Sequence, residues 1–177
     1  AQASGYSKGV VEHYFNGKDE LISGALDWAN RSYQQRVDRV TRGLAGMAAL
    51  DRRIQAILPL DRAVRNEWQV RLVFWSMAAI DESLRKRQEQ RFDLAVVHFE
   101  NDLREAIGRG ELQAGADVTL LARRLLNLTA GISIAALHNR RLYTRAFLLQ
   151  EAAGVLGLVR AGEAVTATDR LHRENTG

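Results

Sequence analysis

The chain has 177 residues, 46% of them hydrophobic, with one proline and no cysteine. That supplies enough apolar material for a sizeable core, and it excludes disulfides and thiolate metal ligands. The net charge of +4 and the pI of about 9.8 permit a nucleic-acid partner without requiring one.

Composition favours helix throughout, with many Ala, Leu, Arg and Glu. The first element is short. Gly5 can supply the positive φ of a tight turn, and Ser7 is a good N-cap. A helix over Ser7–Phe15 then stops at Asn16-Gly17, a turn-favouring pair. Val11 and Phe15 are four apart and share an inward face, which leaves Lys8, Gly9, Glu12 and His13 on other faces, open to a partner. This is the back half of a helix-turn-helix. Residues 1–42 carry six Lys/Arg against five Asp/Glu, so phosphate affinity would come partly from helix N-termini and from dimerisation.

The second predicted helix runs from Asp19 to Arg42, with Leu21, Leu26, Ala29, Tyr33 and Val37 at helical spacing and acidic residues at its start. It follows the short helix directly and is placed to link head and body. Gly43 and Gly46 then loosen the chain. Further helices are predicted over Ala48–Leu58, stopped by Pro59, over Asp61–Asp81 and over Glu82–Arg109. The run Leu72–Ile80 is apolar on every side and predicts a central, buried helix. On the next helix, Arg85, Lys86, Arg87, Glu89 and Arg91 read as a solvated face. Residues 108–116 form a loop, after which Asp117 caps a helix to His138 and Thr144 caps one to Ala161. Residues 163–177 read as a polar, frayed tail. Charges interrupt every apolar run of membrane-spanning length, so no membrane partner is expected.

Gly5-Tyr6-Ser7-Lys8-Gly9, His13-Tyr14-Phe15 and Gly17-Lys18-Asp19-Glu20-Leu21 together resemble the DNA-binding signature of TetR/AcrR-type transcriptional regulators, with a BetI-like flavour. Glycines, cap, aromatics and lysine all fall in register. Glu12 departs from the family's aromatic at that place. The family's first helix and most of its second would precede Ala1, so the chain is expected to begin after a preceding segment. Residues Arg104–Leu112 and Ala122–Leu126 resemble the family's ligand domain.

The resemblance implies an all-α homodimer in the cytoplasm. Residues 1–18 would be the end of the DNA-binding head, 19–162 a helical regulatory and dimerisation domain, and 163–177 the tail. Its partners would be a double-stranded DNA operator and a small, hydrophobic effector, and its activity repression released by that effector. In the head, Ser7, Tyr14 and Lys18 are assigned to phosphates, and Lys8, Gly9, Val10, Glu12 and His13 to base edges or their vicinity. Without the motif these would read as ordinary surface residues.

Trp68, Leu72 and Trp75 share one helix face, and Phe92, Val96 and Phe99 another. They are candidates to line an apolar pocket, with His98, Asn101 or Glu67 as orienting polar groups; plain core packing is the competing reading for each alone. Leu121, Leu125, Leu128 and Ile132, facing the small surface around Gly154 and Gly157, are the candidate dimer interface, a four-helix bundle made from two chains. The alternative is packing within one chain. The histidines are scattered, no HExxH, P-loop, GxSxG or CxxC occurs, and no enzymatic activity, metal or cofactor is expected. Two further readings stay open: a helical small-molecule sensor that does not engage DNA, and a helical-bundle enzyme, which would need titratable groups converging in a pocket.

Overall fold

A computed structural model of the protein describes residues 18–115 and 117–174, with side chains from Glu20 to Arg160 apart from Ile22 and Ala116. The short helix predicted over Ser7–Phe15 lies outside the described residues. Among the described residues there are six helices and no strand: α1 Lys18–Thr41, α2 Gly46–Ile57, α3 Arg62–Ala78, α4 Glu82–Gly108, α5 Val118–His138 and α6 Arg145–Glu174.

The starts of α3, α4, α5 and α6 have a local cause in the sequence. The carboxylates of Asp61, Asp81 and Asp117 accept from the backbone N–H three residues on, each at 2.9 Å. The Leu84 N–H and then the Ser83 hydroxyl hold Asp81 below the usual carboxylate range. Thr144 Oγ1 accepts from Phe147 N–H at 3.3 Å. Helix α2 has no side-chain cap of its own. Its first amides are taken from a distance: Met47 N–H donates to Glu111 at 2.7 Å and Gly46 N–H to Glu105 at 3.3 Å. The turn after α4 thus closes the free end of α2. Pro59 stands beyond the last residue of α2, Ile57.

Helix α2 is the central one. Met47, Leu50, Ile54 and Ile57 enter the main core with Trp68 of α3, Phe99 and Leu103 of α4, Leu125 of α5 and Leu148 of α6. A smaller cluster joins Leu26 of α1 to Phe74 and Ala78 of α3. Burying each large side chain contributes about 1.5–3 kcal/mol.

Three expectations are corrected. The run Leu72–Ile80 is not buried all round: Val73 on α3 is 51% and Ile80, past its end, 91% exposed, because α3 packs on α1, α4 and α5 with one side left over. Helix α6 continues to Glu174 through the segment read as a tail, since no proline interrupts its helix-forming residues. Helix α5 is long and apolar enough to cross a membrane by length and composition, despite Arg123 and Arg124. It packs instead against α2, α3, α4 and α6. Only 28% of that apolar window is buried within the single chain.

Candidate functional site

Residues of α1 to α5 line a cavity of about 320 Å³, a size within the range of small-molecule sites. Helix α1 supplies Leu26, Asn30, Tyr33 and Gln34, and Ile57 comes from the end of α2. Trp68, Arg71 and Trp75 come from α3, and Gln88, Arg91, Phe92, Ala95 and His98 from α4, both sets at helical spacing. Leu126 and Ala130 of α5 close the floor.

The aromatic wall is ordered. Trp68 and Trp75 meet edge to face, centroids 5.6 Å apart at 87°. Trp68 Nε1 donates to the Ile57 carbonyl at 2.6 Å, so the ring is tied to the end of α2.

The polar wall is cationic. Arg71 lies over the Tyr33 and Trp68 rings, 5.4 and 5.7 Å from their centroids. Its Nη2 donates to the Ala29 carbonyl at 3.1 Å, and Nη1 is 3.6 Å from Glu67. Glu67 is already taken by Arg36, bidentate at 2.7 and 2.8 Å. Burial lowers the Arg71 pKa below its ordinary value, with Glu67 opposing. Arg91 pairs with Asp27 at 2.8 Å and lies 5.5 Å from the Phe74 centroid. Its Nη1 is buried without an acceptor. Burial, and to a lesser degree the Arg53 charge, depress the His98 pKa, which keeps the ring neutral at neutral pH. Deeper, Arg53 and Asp102 form a buried pair at 2.6 Å.

Of the pocket candidates, Trp68, Trp75 and Phe92 line this cavity together with His98. Leu72 does not line it, and Val96 and Phe99 are buried in the main core. Glu67 is buried in its ion pairs, and Asn101 is exposed and accepts from Arg104. Sequence reading missed Asn30, Tyr33, Gln34, Arg71 and Gln88, and it placed Arg91 on a solvated face. The position of Arg71 between Trp68 and Trp75 was the available signal.

A second groove opens on the outer side of α5 and α6, lined by Leu121, Leu125, Leu128, Gly131, Ile132, Leu158 and others. Leu128 and Leu158 are exposed there, while Leu125 also reaches the core. Positions Gly131, Gly154 and Gly157 face open space. The DNA-contact candidates Ser7, Lys8, Gly9, Val10, Glu12, His13 and Tyr14 lie outside the described residues, as does the Lys18 side chain.

Residues 46–160 match the family described as BetI-type transcriptional repressor, C-terminal. An uncharacterized HTH-type transcriptional regulator, YfiR of Bacillus subtilis (strain 168), is 25% identical over 138 residues, 77% of this chain and 67% of that protein. The crystal structure of a transcriptional regulator from Rhodococcus sp. Rha1 matches with TM-score 0.75 at 26% identity, over 92% of this chain and 83% of that one. A structure described as a TetR-family regulator from Rhodococcus sp. shares the fold, with TM-score 0.72 at 18% identity over 90% of this chain and 84% of that one. An all-helical body, the family match over residues 46–160 and the similar regulators converge: the chain belongs to the TetR family of DNA-binding transcriptional regulators, which are not enzymes, with a BetI-type C-terminal domain.

Proposed function

We propose that the protein is a dimeric, ligand-released repressor. Two copies join through the outer faces of α5 and α6 and present Ser7–Phe15 twice to a palindromic operator, half-sites about 34–36 Å apart. Ser7, Tyr14 and Lys18 hold phosphates, and Lys8, Gly9, Val10, Glu12 and His13 lie at or near base edges. A small effector fills the α1–α4 cavity and is bound more tightly by the DNA-incompetent arrangement, so that it lowers operator occupancy.

One observation carries the ligand response. Helix α1, whose first residue follows the DNA-contacting segment, supplies a wall of the cavity through Leu26, Asn30, Tyr33 and Gln34. Any ligand seated there touches the helix that bears the head.

A gel shift with the full-length protein and the DNA upstream of its own coding region, at fixed salt, tests this. The expected result is a sequence-selective shift that survives competitor DNA and is lost on adding an effector. Absence of any selective shift would defeat the repressor reading in favour of a sensor that does not engage DNA.

A further inference from the structure

The charged side chains that line the α1–α4 cavity, among the described residues, are Arg71 and Arg91, and no carboxylate lines it. Arg71 does not have a counterion to itself. Glu67 is shared, with Arg36 bidentate at 2.7 and 2.8 Å and Arg71 more distant at 3.6 Å. Two guanidinium groups on one buried carboxylate leave one positive charge uncompensated beside the cavity. Arg91 Nη2 reaches Asp27, whereas its Nη1 is buried with no acceptor. Arg91 is paired on one side only, with an Asp27 that is itself 46% exposed, so its charge also bears on the cavity it lines. His98, held neutral, brings no charge to compete.

We propose that the cavity takes a small monocarboxylate with a flat or chain-like apolar body, its carboxylate against Arg91 and Arg71 and its body against Trp68, Trp75 and Phe92. This rests on the effector reading above and names the chemical class of the effector. The planar guanidinium fork suits a carboxylate. A single residual charge in a mostly apolar site suits a monoanion better than a strongly hydrated dianion, whose desolvation costs more. The aromatic rings alone would suit a quaternary ammonium, but two arginines beside them oppose a cation. The volume of about 320 Å³ lies in the range of small-molecule sites and leaves room for one ring with a short tail or a medium alkyl chain.

Calorimetric titration of the full-length protein with matched probes tests the proposal. The probes are phenylacetate and octanoate, their amides, 2-phenylethylamine, choline and phenyl phosphate. At least one carboxylate should bind about tenfold or more tightly than its own amide, as expected for a hydrogen bond to a charged group. Arg91→Gln should abolish that preference while leaving amide affinity in place. Arg71→Gln is the second variant, and helical circular dichroism of both controls for folding. An amide, amine or choline binding as tightly as the carboxylates, or phenyl phosphate binding more tightly, overturns the monocarboxylate assignment and leaves the effector reading standing. Carboxylate binding that is unchanged in Ala95→Phe, which narrows the cavity, overturns both. If no probe binds at millimolar concentration, the assignment also fails.

Discussion

Arg53 and Asp102 meet inside the protein at 2.6 and 3.1 Å, both buried. Burial works against the Arg53 charge; Asp102 and the neighbouring Tyr33 more than offset it and hold the guanidinium above its ordinary value. Removing one partner strands the other. Arg53→Met should therefore cost about 3–5 kcal/mol, whereas Arg53→Met with Asp102→Leu should recover most of the loss, measured by urea unfolding. At this scale, sequence reading was strongest for aromatic residues. Trp68 and Trp75 are seven apart, two turns of helix, and both reach the cavity. Leu72 fails for a geometric reason: at about 100° per residue it sits about 40° beyond Trp68, outside the arc that Trp68, Trp75 and Arg71 span. Phe99 points nearly the same way as Phe92 but two turns along, where the main core closes over it. Arg91 was illegible because its neighbours in sequence are charged and solvated, and only the packing of α4 on Phe74 turns its guanidinium inward.

At the scale of elements, the start of α2 depends on a glycine. Gly46 has φ of +60°, and an added Cβ would collide with the Glu111 carboxylate and stand 3.2 Å from the Ala106 Cα. That carboxylate is the acceptor for Met47 N–H. Gly43 has φ of +73° with nothing near its missing Cβ. Gly43→Ala should cost only the left-handed backbone penalty, about 1–2 kcal/mol. Gly46→Ala should cost clearly more, because the cap must move as well; paired thermal unfolding curves would show it, and equal shifts would refute it. Helix starts were legible wherever the cap is local, as with Asp117 and Thr144. The start of α2 was not: its caps, Glu105 and Glu111, lie some sixty residues downstream, so the sequence placed it two residues late.

For the whole molecule, the incomplete burial of α5 is the main consequence for assembly. A helix this apolar leaves Leu128 at 42% exposure, and Leu158 of α6 beside it at 57%. An exposed apolar surface of this kind is what the proposed dimer would cover. Leu128→Glu combined with Leu158→Glu should convert a dimer to a monomer by light scattering, with helix content unchanged and operator affinity lost. A wild-type protein that is already monomeric would refute this. The all-helical class was legible from composition and periodicity, and the family from short motifs at both ends. The cavity was legible only in part, because much of its polar lining comes from α1 and the arginines, which no single helix pattern marks.

Helix α1 is pinned near its far end, where Arg36 grips Glu67 and also donates to the Ala56 carbonyl at 2.9 Å. Measured along the axis from that pin, Asn30 stands about 9 Å away and Lys18 about 27 Å. A stiff rod turning about Arg36 therefore has a mechanical advantage of roughly three. A shift of about 1 Å at the cavity wall becomes about 3 Å where the helix leaves the body, and in a two-fold assembly the separation between heads changes by up to twice that. In the proposed repressor, a change of up to about 6 Å between heads approaches two base-pair rises of about 3.4 Å, so a ligand that nudges α1 would spoil the fit to DNA.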